Sequence, residues 1–233
     1  MAEEADNVDL PQALVQSGLR AELMPQHVAL VLDGNRRWAQ ARGLTTAEGH
    51  DAGGRALKKI VELSAAWGVR AITEEVDYVM ELIERMIRNI DAYASRPASL
   101  QEAAREAEEM TKNNSRHHFI LATCYSGRWD IVQAAQDKLL RPEDIDEAMI
   151  SGHLATSVLG DELACPDLLI RTSGEMRLSN FLLWQSAYSE LYFTNTMWPD
   201  FGEEEYIQAL KEFQSRDRRF GQRKSQAEVY VNA

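Results

Sequence analysis

Short apolar runs and longer amphipathic segments alternate along the chain. The apolar runs predict buried strands, because they are too brief for helices and several are rich in β-branched residues. The predicted strands lie at 28–32, 69–73, 119–123, 168–170 and 190–194. Apolar residues at helical spacing predict helices at 36–41, 50–67, 74–94, 99–112, 128–135, 181–187 and 206–213. This order predicts a single α/β domain with a central, mostly parallel sheet flanked by helices.

Local signals refine the ends of several elements. Thr45 with Glu48 and Ser99 with Glu102 have the spacing of a capping box, in which side chains satisfy the free backbone N–H groups of a helix start. Pro142 is expected to begin a further helix, because proline is tolerated in the first turn. We expect an N-terminal arm at 1–24, one domain at 25–221 and a basic C-terminal tail at 222–233.

The charge balance limits the kinds of partner. The formal net charge is −12, which disfavours nucleic acid and would repel an anionic substrate at long range. An anion site therefore needs local arginines or a metal ion. The chain has no apolar stretch long enough for a transmembrane segment. Its two cysteines, Cys124 and Cys165, have neither metal-ligand spacing nor a disulfide framework, so we expect a soluble intracellular protein.

The stretch from His27 to Trp38 carries the first candidate site. Its sequence, H-V-A-L-V-L-D-G-N-R-R-W, predicts a buried strand, a turn and a helix start. An acid at the carboxyl end of a parallel strand, before a helix, lies where open α/β sheets bind ligands. Asp33 is therefore a candidate ligand for Mg²⁺, and Arg36 and Arg37 would suit an anion bridged by that ion. The alternative is an ordinary turn, because Asp-Gly often follows a strand.

Two further strand ends concentrate polar residues. One is Y-S-G-R at 125–128, and the other runs from Arg171 to Asn180. Arg171, Arg177 and Ser179 are candidates for binding one diphosphate, because guanidinium groups match phosphate oxygens and a hydroxyl adds a donor. A structural ion pair between Arg171 and the nearby Glu175 fits the spacing equally well.

Three more residues each have a functional and a structural interpretation. Glu190 opens an apolar strand, so it is a candidate second metal ligand or an exposed strand-end acid. His50 is a candidate phosphate ligand or proton donor, although a histidine near a helix start is more often structural. Trp38 has the pattern of a core residue.

Five ordered motifs carry a resemblance to a known family. They are D-G-N-R-R-W-A at 33–39, G-H at 49–50, Y-S-G-R-W-D-I at 125–131, R-T-S-G-E-M-R-L-S-N-F-L-L-W-Q at 171–185 and Y-S-E-L-Y-F-T-N-T-M-W-P-D-F at 188–201. From about Met24 to about Gly221 the chain resembles the cis-prenyltransferases, the undecaprenyl diphosphate synthase family. The pair Arg36–Arg37 is similar to plant and other eukaryotic members.

The resemblance implies a role for each motif residue. Asp33 matches the aspartate that holds Mg²⁺ on the allylic diphosphate. Glu190 matches a glutamate associated with the metal, which the neighbouring subunit supplies in some members. The implied catalytic residues are Asp33, Asn35, Arg37 and His50, and the implied substrate-binding residues are Gly34, Arg36, Trp38, Arg171, Arg177 and Ser179. Within the second set, Arg171, Arg177 and Ser179 match the site for an isopentenyl-type diphosphate.

The resemblance also implies the surroundings of the reaction. It implies a Mg²⁺-dependent homodimer that acts on isoprenoid diphosphates, with no nucleic acid and no membrane span. An apolar tunnel for the product is expected between the sheet and the helices at 50–67 and 74–94. The expected compartment is the plastid, after removal of a transit peptide, or the cytoplasm.

Several breaks separate this chain from the family's pattern. Thr73 runs straight into Glu74 without the aromatic loop of the family, a strand expected between Arg96 and Pro97 is missing, and the helix after Asp137 is cut short. True deletion of a sheet strand should damage the fold. The breaks are therefore better explained by loop residues that are missing from the printed sequence than by true deletions. Thr46 and Cys124 replace residues common in the family, which fits a short-chain or irregular member.

Three functions are compatible with the sequence. The first is Mg²⁺-dependent condensation of dimethylallyl and isopentenyl diphosphate into a short-chain prenyl diphosphate. The second is irregular coupling of two dimethylallyl diphosphates to a branched or cyclised monoterpene diphosphate such as lavandulyl diphosphate. The third is a non-catalytic partner subunit of another prenyltransferase. Because Asp33, Arg37 and Glu190 are all present, the sequence favours an enzyme.

Overall fold

A computed structural model describes residues 12–76, 88–89, 98–123, 125–136 and 145–218. The helices are α1 (Gln12–Ser17), α2 (Asn35–Ala41), α3 (Thr46–Ala66), α4 (Ala98–Thr111), α5 (Gly127–Ala135), α6 (Glu147–His153) and α7 (Glu203–Ser215). The strands are β1 (His27–Val31), β2 (Ala71–Val76), β3 (Arg88–Asn89), β4 (His118–Thr123), β5 (Leu168–Arg171) and β6 (Glu190–Phe193). Short 3₁₀ turns lie at Ala21–Leu23, Ala155–Leu159 and Trp198–Asp200.

The strands form one sheet in the order β3-β4-β2-β1-β5-β6, and every adjacent pair is parallel. All residues of β1 are buried, because this central strand is covered on both faces. The prediction of an α/β domain with a parallel sheet is confirmed. Since parallel strands end at the same edge, the loops that follow β1, β4 and β5 lie together.

The two faces of the sheet pack against different layers. Val28 and Leu30 of β1 belong to a core cluster with residues of α3, α7 and the 3₁₀ turn at Trp198–Asp200. This cluster includes Ile60, Trp67, Trp198, Phe201, Tyr206, Leu210 and Phe213, and from the N-terminal segment Leu14, Leu19 and Met24. Ala29 and Val31, on the other face, pack with Phe181 and Leu182. The alternation follows from the two-residue period of a strand.

One of the two predicted capping boxes is confirmed. Thr45 Oγ1 accepts a hydrogen bond from Glu48 N at 3.3 Å, and Glu48 Oε2 accepts one from Thr45 N at 2.8 Å. The box predicted at Ser99 is wrong, because α4 already begins at Ala98. A residue inside the helix cannot serve as its N-cap.

Strand β2 is longer than its predicted range. The segment Glu74–Val76 continues the strand, level with Leu30 and Val31 of β1 and with residues 121–123 of β4. Ending β2 at residue 73 would leave backbone groups of both neighbouring strands unpaired in the interior, so sheet pairing overrides helix propensity. The helix predicted at 74–94 is therefore wrong over Glu74–Val76.

The same helix prediction is wrong at Arg88–Asn89, which form the short edge strand β3 beside β4. An edge strand thus lies at residues 88–89, whereas the strand break noted between Arg96 and Pro97 is not tested. Residues 77–87 and 90–97, and the predicted helix start at Pro142, lie outside the described residues. The predicted tunnel, whose second wall falls largely on those residues, stays a prediction.

The helix predicted at 181–187 is also wrong, because these residues form turns. Leu182 has a φ of +41°, and a left-handed residue interrupts a right-handed helix. The remaining predicted strands and helices that fall on described residues are present, with ends shifted by a few residues.

Candidate active site

The loop after β1 is anchored through the backbone of Asp33. Its carbonyl oxygen accepts hydrogen bonds from Thr172 Oγ1 at 2.8 Å and Ser173 Oγ at 2.7 Å. Trp198 N donates to the same oxygen at 3.0 Å. One carbonyl therefore fastens the loops that follow β1, β5 and β6 to one another. The predicted parallel topology implied that these loops converge. It did not indicate which donors hold them together.

Asp33 and Arg171 form an ion pair at the centre of these loops. Arg171 Nη2 donates to Asp33 Oδ2 at 2.7 Å, and the side chains are 4% and 36% exposed, respectively. The partner of Arg171 is thus Asp33 rather than Glu175, the partner that the spacing suggested. The pairing joins a residue predicted for the allylic site to one predicted for the second diphosphate.

The remaining contacts of Arg171 shape the loop after β5. Its Nη1 donates to Ser179 Oγ at 2.7 Å and to the carbonyl oxygen of Arg177. Its Nε is buried and has no hydrogen-bond partner. A buried N–H without a partner is energetically unfavourable. The structure therefore brings Arg171, Arg177 and Ser179 together, as predicted, but with the Arg177 backbone rather than its guanidinium against Arg171.

Glu175 connects two exposed arginines. It pairs with Arg37, with Arg37 Nη2 lying 3.3 Å from Glu175 Oε1, and it accepts a hydrogen bond from Arg177. The hydrogen bond from Arg177 holds the pKa of the Glu175 carboxyl below its usual value, and the charges of Arg37 and Arg171 add to the effect. Glu175 is a residue that the sequence analysis treated only as a possible structural partner.

Gly34 allows the loops after β1 and β5 to approach closely. Its φ is +108°, and a Cβ at this position would lie 2.0 Å from Ser173 Oγ and 3.1 Å from Met197 Cβ. Glycine is the residue that tolerates both this backbone conformation and this contact. The loop geometry around Asp33 therefore depends on Gly34.

We expect Gly34→Ala to lower kcat/KM more than about tenfold and to lower Tm, because Ser173 must leave Asp33. Gly43→Ala is the matched control, since Gly43 also has a positive φ, +68°, but no atom lies within 4 Å of its added Cβ. The control should lose about 1 kcal/mol of stability and keep its activity. Equal activities of the two variants would contradict the role of this contact.

Asn35 and His50 lie where α2 packs against α3. A Cβ on Gly49 would lie 2.4 Å from the Asn35 carbonyl oxygen, and one on Gly53 would lie 2.2 Å from Asn35 Oδ1. That side-chain oxygen is buried without a hydrogen-bond partner. His50 is half-buried in the first turns of α3. The two glycines thus bring the helix that carries His50 against Asn35.

Arg36 and Trp38 are the remaining predicted substrate-binding residues on α2. Arg36 is exposed. Trp38 is half-buried, its Nε1 donates to Asp200 Oδ1 at 2.7 Å, and the Arg42 guanidinium lies 4.4 Å from its ring centroid. Trp38 is therefore neither fully core nor bonded to the Asp33 cluster, and its predicted place in the substrate site stays a prediction.

Glu190 is not beside Asp33 in the same chain. In the sheet register, Glu190 pairs with Leu168 of β5. Leu168 in turn pairs with Val28, near the beginning of β1. Three strand residues, about 10 Å, separate that level from Val31, and Asp33 lies beyond it. Glu190 Oε2 accepts a hydrogen bond from Arg216 Nη1 at 2.7 Å. A shared metal site with Asp33 of the same chain is therefore excluded by the register.

The donor set fits a substrate-bridged magnesium ion. Among the described residues there is no cluster of three or more His, Cys, Asp or Glu side chains. Mg²⁺ commonly binds one or two carboxylates and completes its shell with substrate phosphates and water. The partly exposed Asp33 carboxylate meets that requirement, and the exposed Arg37 and Arg177 on Glu175 leave guanidinium groups accessible to phosphate oxygens.

Comparison with known proteins identifies the class of enzyme. The family model for undecaprenyl diphosphate synthase, a prenyltransferase family, matches residues 31–221. Cis-prenyltransferase 4, chloroplastic, of Solanum lycopersicum is 44% identical over 95% of this chain and 80% of its own length. The chloroplastic (2Z,6Z)-farnesyl diphosphate synthase of the same plant is 43% identical over 86% of this chain and 80% of its own length.

A solved structure supports the same assignment. The crystal structure of lavandulyl diphosphate synthase from Lavandula x intermedia, in complex with dimethylallyl diphosphate, matches with a TM-score of 0.80 and 36% identity. The match covers 86% of this chain and all of that chain (100%). The fold and these relatives define a prenyl-transferring enzyme. The chain belongs to the undecaprenyl diphosphate synthase family, as a plant-type cis-prenyltransferase. In the part of the chain that the structure describes, no helix combines the length and apolarity needed to cross a bilayer.

Proposed function

We propose that the protein is a Mg²⁺-dependent prenyltransferase that condenses dimethylallyl and isopentenyl diphosphate into a short-chain prenyl diphosphate. The observation that carries the proposal is the cluster of Asp33, Arg171, Ser179, Glu175 and Arg37 at the carboxyl edge of the sheet. It combines a partly exposed carboxylate for a metal with guanidinium groups for phosphate oxygens. The farnesyl diphosphate synthase among the relatives supports a short product.

Different residues of the cluster would bind the two diphosphates. Asp33 would hold Mg²⁺ and Arg37 would bind the allylic diphosphate, while Arg171, Arg177 and Ser179 would bind the second substrate. When bound, Mg²⁺ offsets the negative charge that grows on the leaving diphosphate. Arg37 adds positive charge at the same place, and Arg171 keeps the second double bond close to the allylic carbon.

The Asp33–Arg171 ion pair implies an exchange of partners on binding. In the structure each group neutralises the other at 2.7 Å. A bound diphosphate would replace Asp33 as the acceptor of the hydrogen bond from the Arg171 guanidinium. The Asp33 carboxylate would then be available to bind the metal ion. The pair thus keeps a buried guanidinium compensated while no substrate is bound.

Irregular coupling of two dimethylallyl diphosphates is the second candidate function. The lavandulyl diphosphate synthase structure favours it, because the similarity extends over the whole of that chain. Both candidates use the same cluster, and they differ in the substrate that occupies the site of Arg171.

An assay of the purified protein separates these functions. We expect product from dimethylallyl plus isopentenyl diphosphate with Mg²⁺, and at least about a hundredfold loss of turnover after chelation. Product from dimethylallyl diphosphate alone would support irregular coupling instead. Inactivity with every allylic primer would contradict both and favour a partner subunit.

We also propose a homodimer and a plastid location. The register keeps Glu190 away from Asp33 within one chain, so a metal role for Glu190 requires a second copy. Sedimentation should then give twice the chain mass of 26.3 kDa. The chloroplastic relatives support the compartment.

A further inference from the structure

The loop after β5 has an unusual backbone conformation. Among the residues that the structure describes, the non-glycine residues with positive φ are Ser173 (69°), Ser179 (48°), Asn180 (69°) and Leu182 (41°). All belong to this loop. Each such conformation costs of order 1 kcal/mol and persists where surrounding contacts hold it. Contacts from outside the loop must therefore maintain its shape.

Asn180 supplies such contacts to the loop after β4. Its Nδ2 donates to Ser126 Oγ at 2.8 Å, and its Oδ1 accepts from Arg128 N at 3.0 Å. Its carbonyl oxygen accepts from Gly127 N at 2.8 Å. A Cβ on Gly127 would lie 2.7 Å from that oxygen, so glycine permits the approach. Both polar groups of the Asn180 amide side chain are thus hydrogen-bonded to the segment that follows β4.

The loop after β4, which carries Ser126, is held in place by a buried polar network. Asp130 of α5 is 6% exposed. Its Oδ2 accepts from Tyr125 OH at 2.7 Å and from Gln185 Nε2 at 3.0 Å, and its Oδ1 accepts from Ala155 N at 3.0 Å. Gln185 Oε1 has no hydrogen-bond partner, but the three bonds to the Asp130 carboxylate restrain Tyr125, Gln185 and Ala155 relative to α5. Ser126 and Gly127 therefore give Asn180 a fixed point of attachment.

Resting on the proposed function, we propose that Asn180 is a positioning residue for the second diphosphate. Through Ser126 it holds residues 177–180 so that the Ser179 hydroxyl stays 2.7 Å from Arg171 Nη1. The clamp, defined as the Asn180–Ser126 hydrogen bond, keeps the donors for that diphosphate arranged before it binds. Preorganised donors bind more tightly, because less ordering is needed on association.

Steady-state kinetics of Asn180→Ala test the clamp. We expect KM for isopentenyl diphosphate to rise about tenfold, with kcat and KM for dimethylallyl diphosphate within about twofold of wild type. Gln133→Ala, on an exposed position of α5, is the matched control and should behave as wild type. A variant in which both KM values and Tm change together would show Asn180 to be merely structural and would overturn the proposal.

Ser126 variants test whether Asn180 acts through this partner. Ser126→Ala should raise the same KM, and Ser126→Thr, which keeps the hydroxyl, should restore it. The double variant Asn180→Ala with Ser126→Ala should change this KM by less than the product of the two single effects, because both remove the Asn180–Ser126 hydrogen bond, although each also removes a second bond, from Arg128 N and from Trp129 N respectively. Additive effects would overturn the clamp.

Titration with inorganic pyrophosphate separates the clamp from the proposed function. We expect Asn180→Ala to bind pyrophosphate about tenfold more weakly than wild type. If wild type forms no prenyl product and this difference persists, the clamp stands and the proposed function fails. Equal affinities would overturn the clamp even in an active enzyme.

Discussion

Replacing Asp33 by asparagine is expected to lower kcat/KM on the order of a thousandfold. The amide removes the negative oxygen that the proposed metal needs, whereas it still accepts the hydrogen bond from Arg171 Nη2 at the 2.7 Å site. Asparagine is preferred to alanine, because alanine would leave Nη2 of the Arg171 guanidinium, 4% exposed, without its acceptor. Steady-state kinetics at saturating Mg²⁺ measure the loss.

The control for this variant is Asp161→Asn, an exposed acid in a turn that precedes β5. It should retain full activity. Circular dichroism of Asp33→Asn should match wild type, which would show that the fold is retained. Turnover within threefold of wild type would remove Asp33 from the metal role.

Replacing Glu74 by leucine is expected to stabilise the protein by about 1–3 kcal/mol. Glu74 is 4% exposed, and its Oε2 is buried without a hydrogen-bond partner. It lies level with Leu30 and Leu121 on the adjacent strands, so a leucine matches its surroundings. Tm measured by calorimetry should rise by several degrees. A lower Tm would show that the carboxyl makes a favourable interaction.

The pH dependence of stability provides a second test of Glu74. Burial raises the pKa of its carboxyl well above 4.5 in the folded state. The folded chain therefore holds a proton that the unfolded chain has lost. This contribution to stability is complete below pH 4.5 and disappears as pH rises through the folded pKa, by about 1.4 kcal/mol per pH unit.

Buried His27 has the opposite effect at lower pH. Desolvation lowers its pKa from 6.5 to about 4, so between these values stability rises with pH. Desolvation also lowers the pKa of His117. Above about pH 6.5 these contributions end, and the decline due to Glu74 should continue as pH rises toward its raised folded pKa. Glu74→Gln should abolish that decline, whereas the exposed control Glu204→Gln should retain it.

Local sequence signals predicted the elements that carry the site. The apolar run at 28–32 and the turn residues after it predicted β1 and the placement of Asp33, because strand burial and turn chemistry are properties of neighbouring residues. Thr45 and Glu48 predicted the start of α3 for the same reason. The convergence of Arg171 and Ser179 on one loop was likewise predicted from their strand end.

Long-range contacts explain where sequence reasoning was wrong. Glu74 has the pattern of a helix start but lies in β2, because two neighbouring strands supply its hydrogen-bond partners. Local signals could not show whether Glu190 and Asp33 of one chain meet, because the register of β5 and β6, which places Glu190 near the other end of the strands, is a long-range property. Asn180 was not identified, because its partners are more than fifty positions earlier in the chain.

The sequence by itself determined the family, the parallel α/β architecture and the residues available for diphosphate chemistry. These follow from the types and spacing of residues close together in the chain. Tertiary structure alone decided that Asp33 pairs with Arg171, that Glu74 is buried in the sheet and that Asn180 joins two loops. Such pairings depend on strand order and register, which bring together residues distant in the sequence.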